Sequence, residues 1–198
     1  MSPAPDRPPL SPLPGAPEPT QTAVIAAVPA VEQLVGRHRR HLDGAAAWGV
    51  PAHVTVLYPF VDPATVDEHL VAVLAAAVRS VAAFDCRFAR TAWFGEDVVY
   101  LDPEPAQPFR ELTAAVWTAF PEHPPYGGAY DDVVPHLTVG ERRLADVAAL
   151  QAAERDVRGG LPVATRIGEV LLIAGTTAPA SWRVLRRLPL GSRGSKGR

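Results

Sequence analysis

PAHVTVLYPF, residues 51–60, read beside VPHLTVGER, residues 134–142, decides how the rest of this chain is understood. Both stretches run histidine, aliphatic residue, threonine, aliphatic residue, and both have a proline just upstream. Side chains on a β-strand alternate between two faces. His53 and Thr55 therefore share one face of a strand, and Val54 and Val56 share the other. The same parity sets His136 and Thr138 against Leu137 and Val139. Each strand offers an imidazole and a hydroxyl to one side and anchors itself to a core by the other. Tyr58, three residues beyond Thr55, falls on the core face if the strand stays regular.

The repeated unit suits phosphoester chemistry. An imidazole titrates near neutral pH and serves as base or acid. A threonine hydroxyl donates a hydrogen bond to a phosphate oxygen. Two such units facing each other would hold a phosphodiester between two histidines, one taking a proton from the attacking oxygen and the other giving one to the leaving oxygen. The threonines would stabilise charge on the non-bridging oxygens. One tetrad alone is weak evidence, since the composition produces it by accident about 0.07 times per chain. Two copies are much harder to obtain by accident.

Outward from the two tetrads, strand-like and helix-like segments are interspersed. TAVIAAVPA (22–30) reads as a buried strand, and VEQLVGRHRRHL (31–42) as a helix rich in positive charge. DPATVDEHLVAVLAAAVRSV (62–81) reads as a helix with Asp62 as N-cap and Pro63 in its first turn. FDCRFARTAWF (84–94) and VVYLDP (98–103) form a hairpin about Gly95, Glu96 and Asp97. QPFRELTAAVWTAF (107–120) and LADVAALQAAERDV (144–157) are amphipathic helices, the second stopped by Gly159 and Gly160. VATRIGEVLLIAGTT (163–177) and SWRVLRRLPL (181–190) are closing strands, antiparallel through Ala178, Pro179 and Ala180. Several strands connect directly, which argues for an α+β fold with largely antiparallel sheet.

Residues 1–20 hold eight prolines and predict a disordered tail. GSRGSKGR (191–198) predicts a flexible basic one. Residues 21–190 between them form the expected domain. A formal net charge of −2 removes the electrostatic footprint of a protein that coats long nucleic acids, so a nucleic-acid substrate should be small or gripped locally. The start of the chain lacks a basic, then apolar, leader pattern, and the apolar runs are too short to span a bilayer. A soluble, cytoplasmic protein is expected. The lone Cys86 makes an internal disulfide impossible and is expected to be buried and inert. Glu68 and His69 lack the spacing of a metal motif, so neither metal nor cofactor is expected.

The paired motifs resemble the two-histidine (2H) phosphoesterase superfamily, in particular its 2'-5' RNA ligase and cyclic phosphodiesterase type. The resemblance spans residues 21–190. It implies a bilobal, pseudo-two-fold α+β fold in which each lobe supplies one motif to a central cleft. It implies activity on a 2',3'-cyclic phosphate or a 2'-5' linkage, with RNA ends or small cyclic or 2'-5' nucleotides as partners; a monomer is expected. His53 and Thr55 match the family's first motif; His136 and Thr138 match its second. One departure stands out. Bacterial RNA ligase-like members often carry an arginine three residues after the second threonine, and here that place is Glu141, followed by Arg142 and Arg143.

Aromatic residues near the motifs are candidates for stacking on a base or for the cleft rim: Trp93 at a hairpin end, and Tyr126 and Tyr130 around Gly127 and Gly128. His38 and His41, with Arg37, Arg39 and Arg40, form either a solvated helix face or a ramp along which phosphates approach. His69 and His123 read as surface residues. Two functions remain open from the residues themselves: a catalytic phosphoesterase, and a non-catalytic module that binds a nucleotide or an RNA end on the same scaffold.

Overall fold

A computed structural model of the protein describes residues 17–129 and 133–192. Among them, eight strands form two four-stranded antiparallel sheets. The first sheet has the order β2 (His53–Leu57), β1 (Gln21–Ala27), β7 (Glu169–Gly175), β8 (Arg183–Pro189). The second has the order β5 (Leu137–Glu141), β4 (Val98–Glu104), β3 (Phe84–Phe94), β6 (Val163–Ile167). Each histidine motif thus lies at the edge of its own sheet, and the two edge strands, β2 and β5, contact one another.

Five α-helices complete the described fold: α1 (Glu32–Leu42), the short α2 (Gly44–Ala47), α3 (Glu68–Arg79), α4 (Gln107–Ala119) and α5 (Val147–Arg158). α4 packs on β2 and α3 on β8, covering one face of the first sheet. α1 and α5 pack on β5, and α5 also reaches β3, covering one face of the second. The main core joins both layers. Val24, Val54 and Leu172 of the first sheet share it with Phe88, Leu101 and Leu137 of the second. Cys86 is buried within it.

The inner strands of the first sheet are apolar on both faces. Val24 and Ala26 of β1, with Val170 and Leu172 of β7, enter the main core. Ala23 and Ile25, with Leu171 and Ile173, form a second buried cluster on the opposite side. A strand that reads as an unbroken hydrophobic run is one with both faces covered.

Three boundaries differ from the sequence expectation. Asp62 caps only a 3₁₀ turn (Pro63–Thr65); the helix proper starts after Asp67, whose carboxylate accepts from Leu70 N at 2.7 Å. Residues 163–177 are two strands rather than one. The chain leaves the second sheet at Gly168 and enters the first, so the apolar run of β7 and the alternating pattern of β6 belong to different layers. Hydrogen bonds also reach past both ends of the expected domain. Thr20 N donates to Gly175 O at 3.0 Å, and Gly191 bridges the backbone at Val81 and Ala83. Residues 1–16 and 193–198, where tails are expected, lie outside the described residues.

Candidate active site

In both motifs the parity argument works for four residues and is then reset by a β-bulge. On the first sheet Ile25 pairs with Thr55 and Val24 with Leu57, so one step along β1 spans two along β2 and Val56 is the extra residue. On the second sheet Tyr100 pairs with Thr138 and Val99 with Gly140, which makes Val139 the extra residue. The two bulges occupy corresponding places, immediately after each threonine. A bulge turns the residues beyond it to the other face. Val56 and Leu57 are consequently both in the main core, and Tyr58 turns into the cleft instead of the core face assigned to it by simple alternation. Glu141 turns in at the matching position. The pseudo-repeat therefore pairs His53 with His136, Thr55 with Thr138, and Tyr58 with Glu141.

The first bulge is held from behind. Thr113, a buried residue of α4, donates its hydroxyl to Val56 O at 2.9 Å. Beyond the second bulge, Gly140 lies where α1 and α5 close on the strand. A Cβ there would meet Leu150 Cδ2 at 2.7 Å and Leu42 Cβ at 2.9 Å.

His53, Thr55, His136 and Thr138 line one cleft of about 320 Å³. Each imidazole is fixed in the same way. His53 Nδ1 lies 2.8 Å from Pro51 O, and His136 Nδ1 lies 2.8 Å from Val134 O. A carbonyl only accepts, so each Nδ1 carries the proton and each Nε2 is left with its lone pair. Burial pushes the pKa of His53 down to about 3, helped by the nearby Arg39 guanidinium and by His136 and opposed by the Pro51 bond. Burial also lowers His136, with its Val134 bond pulling the other way. With no anion between them, both rings are neutral bases at neutral pH. Phe94 and Tyr100 flank the His136 ring in edge-to-face arrangements, with centroids at 4.9 and 5.5 Å.

A chain of charges runs along the other side of the cleft. Arg39, 2% exposed, donates its Nε to Asp43 Oδ2 at 2.9 Å and its Nη2 to Val50 O at 3.3 Å. Burial raises the Asp43 carboxyl despite Arg39, and the neighbouring Glu141 adds to the rise. Burial likewise pushes Glu141 up, but bonds from Arg143 and from Gly44 N outweigh it and leave that carboxyl below its ordinary value. Arg143 donates Nε to Glu141 Oε2 at 2.5 Å and Nη2 to Oε1 at 3.0 Å. Its guanidinium sits 5.9 Å from the Trp48 ring centre and packs so closely over Gly44 that a side chain there would collide with Nη2. Glu141 does not leave a bare negative charge at the cleft. It clamps an arginine that lines it.

The remaining candidates separate clearly. Tyr126 lines the cleft in a left-handed backbone conformation (φ 52°), and its N–H donates to Tyr58 O at 2.7 Å. Trp93 pairs with Val99 across the β3–β4 ladder and packs against the main core, away from the cleft lining. Tyr130 lies outside the described residues. The basic helix is neither a free solvated face nor a phosphate ramp throughout: Arg37 and His38 both bond Asp156, and Arg39 is buried against Asp43. His69 is exposed. His123 is half-buried, its ring centroid 5.9 Å from that of Phe60.

Sequence reasoning missed Trp48, Trp182 and Asp43, and read Arg39 only as part of a basic helix face. Trp182 N donates to Trp48 O and Ala180 N to Ala47 O, each at 3.0 Å, so the β7–β8 turn docks on the end of α2 and brings both indoles to the cleft. No spacing in the sequence announces that contact. Arg143 alone left a trace, as the second basic residue after an acidic one in the position expected for arginine.

Solved structures with this fold include LigT of E. coli complexed with ATP (18% identity, TM-score 0.56, 88% of this chain and 100% of that one). LigT complexed with 3'-AMP is similar (17%, 0.54, 87% and 99%), as is TT0787 of Thermus thermophilus (17%, 0.58, 87% and 99%). No curated protein matches the chain in sequence. The family model of the 2'-5' RNA ligase superfamily matches residues 25–178, and the chain belongs to that superfamily.

Proposed function

We propose that this protein is a metal-independent phosphoesterase that opens 2',3'-cyclic phosphates or 2'-5' linkages at RNA ends or in small nucleotides. One observation carries the reading. Two imidazoles, each tied by Nδ1 to the carbonyl two residues upstream, share a cleft with two threonine hydroxyls placed by matching strands. An anion between the rings favours their charged forms and raises both pKa values. A single proton taken up with the substrate then leaves one ring as acid and the other as base. The base Nε2 takes a proton from the attacking water or hydroxyl as the new P–O bond forms. The acid Nε2 protonates the oxygen that leaves phosphorus. Thr55 and Thr138 donate to the non-bridging oxygens, and Arg143 supplies a positive charge at the cleft wall. Every proton moves through imidazole, so the reaction requires no metal. The cleft is at the lower end of the range for small-molecule sites, a size suited to one nucleotide. LigT, which shares the fold, has been solved with nucleotides bound.

His53→Ala and His136→Ala should each reduce turnover of a 2',3'-cyclic nucleotide by about 10²–10⁴-fold or more while preserving the far-UV circular dichroism spectrum. The pH–rate profile should be bell-shaped and indifferent to chelator. Full activity in either variant would sink the two-histidine mechanism. A formal net charge of −2 and Glu141 in the place expected for arginine favour a second reading, a binding module without turnover. Tight binding of a nucleoside monophosphate, with no turnover across cyclic nucleotides, ADP-ribose cyclic phosphate and 2'-5' oligonucleotides, would select it.

A further inference from the structure

Arg143 is gripped along one edge only. A guanidinium carries five N–H donors around a flat rim. Glu141 takes two of them, from Nε at 2.5 Å and from Nη2 at 3.0 Å. The second hydrogen of Nη2 and both hydrogens of Nη1 have no hydrogen-bond partner among the described residues. Together they make the end-on fork, an edge that meets two oxygens of one phosphate at once.

The fork is also held in place. The guanidinium sits 5.9 Å from the Trp48 ring centre and packs on Gly44, where a side chain would collide with it. Gly44 N donates to the same Glu141 Oε1, at 3.2 Å, so strand β5 and the start of α2 fix the clamp from two sides. A long side chain that is already ordered loses little further freedom when it takes a ligand. The two carboxylates of this wall are each matched by an arginine, Asp43 by Arg39 and Glu141 by Arg143, so neither opposes an anion as a bare charge. The Arg143 side chain is nonetheless 55% exposed, and it lines the cleft.

The clamp stands apart from the threonine contact. Thr138 lies opposite Tyr100 and Glu141 opposite Val98, two residues along β4. Two steps of antiparallel strand span about 7 Å, whereas a hydrogen bond spans about 3 Å. The phosphate between the histidines already has Thr55 and Thr138 for its oxygens. A fork displaced along the same wall suits a different anion. A ribose separates its 5'-side phosphate from the phosphate at its 2' and 3' oxygens by several bonds, so one nucleotide can present both.

We infer that Arg143, clamped by Glu141, receives a second phosphate of the substrate, the one on the 5' side of the nucleotide whose 2',3'-cyclic or 2'-5' phosphate reacts. The inference rests on the proposed function for the place of the reacting phosphate and deepens it by naming the substrate class: a nucleotide with two phosphate groups, taken in preference to one with a single phosphate. The second group is a terminal phosphate or the next phosphodiester of an RNA end, since either presents two oxygens to the fork.

Isothermal titration calorimetry tests this without requiring turnover. The ligands are adenosine 3'-monophosphate, adenosine 3',5'-bisphosphate and the 3'-phosphorylated dinucleotide ApAp. At least one of the two doubly phosphorylated ligands should bind about ten-fold or more tighter than the monophosphate, the scale of hydrogen bonds to a charged group. A gain confined to the bisphosphate identifies a terminal phosphate, and a gain shared by ApAp identifies the backbone of an RNA end; both support the inference. Arg143→Ala should bring the ratio close to one, and Arg143→Lys, a point charge without a fork, should recover only part of it. Equal affinity of all three ligands for the unmutated chain, no binding by any of them, or a gain that survives Arg143→Ala would overturn the inference. The comparison on the unmutated chain decides the matter even where a variant does not fold. A chain that gains from the second phosphate but turns over no cyclic phosphate keeps this subsite and loses the phosphoesterase reading. One that hydrolyses 2',3'-cyclic adenosine phosphate with the same KM whether or not a 5'-phosphate is present does the reverse.

Discussion

Replacing Thr113 by valine removes one oxygen from the back of the active-site strand and keeps the side chain's shape. That oxygen is the partner of Val56 O at 2.9 Å, and Thr113 is 5% exposed, so water has little access to the carbonyl it leaves behind. Val56 is also the extra residue of the bulge, without an in-register partner on β1. A buried carbonyl stripped of its donor costs about 1–3 kcal/mol. In a chain of this length each kcal/mol lowers Tm by about 2–4 °C, so a fall of about 2–12 °C is expected in thermal unfolding followed by circular dichroism. Thr113→Ser separates the causes. It retains the hydroxyl and deletes one methyl, a loss of about 1 kcal/mol. Steady-state kinetics supplies a second readout, because the bulge turns Tyr58 into the cleft. Thr113→Val should raise KM more than Thr113→Ser does. A valine variant as stable as the unmutated protein, with unchanged KM, would refute the claim that this hydroxyl holds the bulge.

Further perturbations follow from the same geometry. Arg143→Ala should raise KM by about 10–150-fold with a smaller effect on kcat, the equivalent of about 1.5–3 kcal/mol of charged hydrogen bonding, and added salt should narrow the gap. Gly44→Ala should reproduce that signature with an unchanged circular dichroism spectrum, since the new methyl displaces only the far end of the Arg143 side chain; unaltered KM in Gly44→Ala would break the link. Gly140→Ala should destabilise by about 1–3 kcal/mol in urea unfolding, because Leu42 and Leu150 already occupy the space, and an unchanged midpoint would count against that packing. Stability should fall as pH drops below about 6.5, the ordinary histidine value, toward 3, the native value of His53. In that window the unfolded chain binds a proton that the native His53 ring refuses, so that ring contributes up to about 1.4 kcal/mol per pH unit. Denaturation midpoints at pH 7 and 5 should show a smaller drop for His53→Gln than for the unmutated protein, and equal drops would contradict the neutral assignment.

Strand parity makes the faces of His53, Thr55, His136 and Thr138 legible, because alternation is a local property of the backbone. Legibility ends at Tyr58 and Glu141. There the bulges at Val56 and Val139 depend on what packs behind each strand, Thr113 in one case. The expected helix start at Asp62 lies five residues early for a related reason. Asp62 and Asp67 are both competent N-caps, and only the backbone path decides which one starts the long helix. The division of residues 163–177 between two sheets rests on Gly168 and on distant pairing partners. Trp48 and Trp182 come together through contacts between segments more than a hundred residues apart, which no local periodicity encodes.

The two sheets also differ in how their strands are distributed along the chain. β3 to β6, from Phe84 to Ile167, make the second sheet as one uninterrupted run. The first is split: β1 and β2 come before that run, and β7 and β8 after it, with Gln21 opposite Gly175. A lone β1–β2 pair is marginal in water. Synthesis proceeds from the N-terminus, and domains tend to fold as units when their last contacts become available. The strand bearing His136 can therefore reach its place while the chain is still being made. His53 waits on a nascent ribbon for β7. The strand that holds His53 is therefore completed after the one that holds His136, although His53 comes earlier in the chain, and the cleft between them closes only once β7 is available.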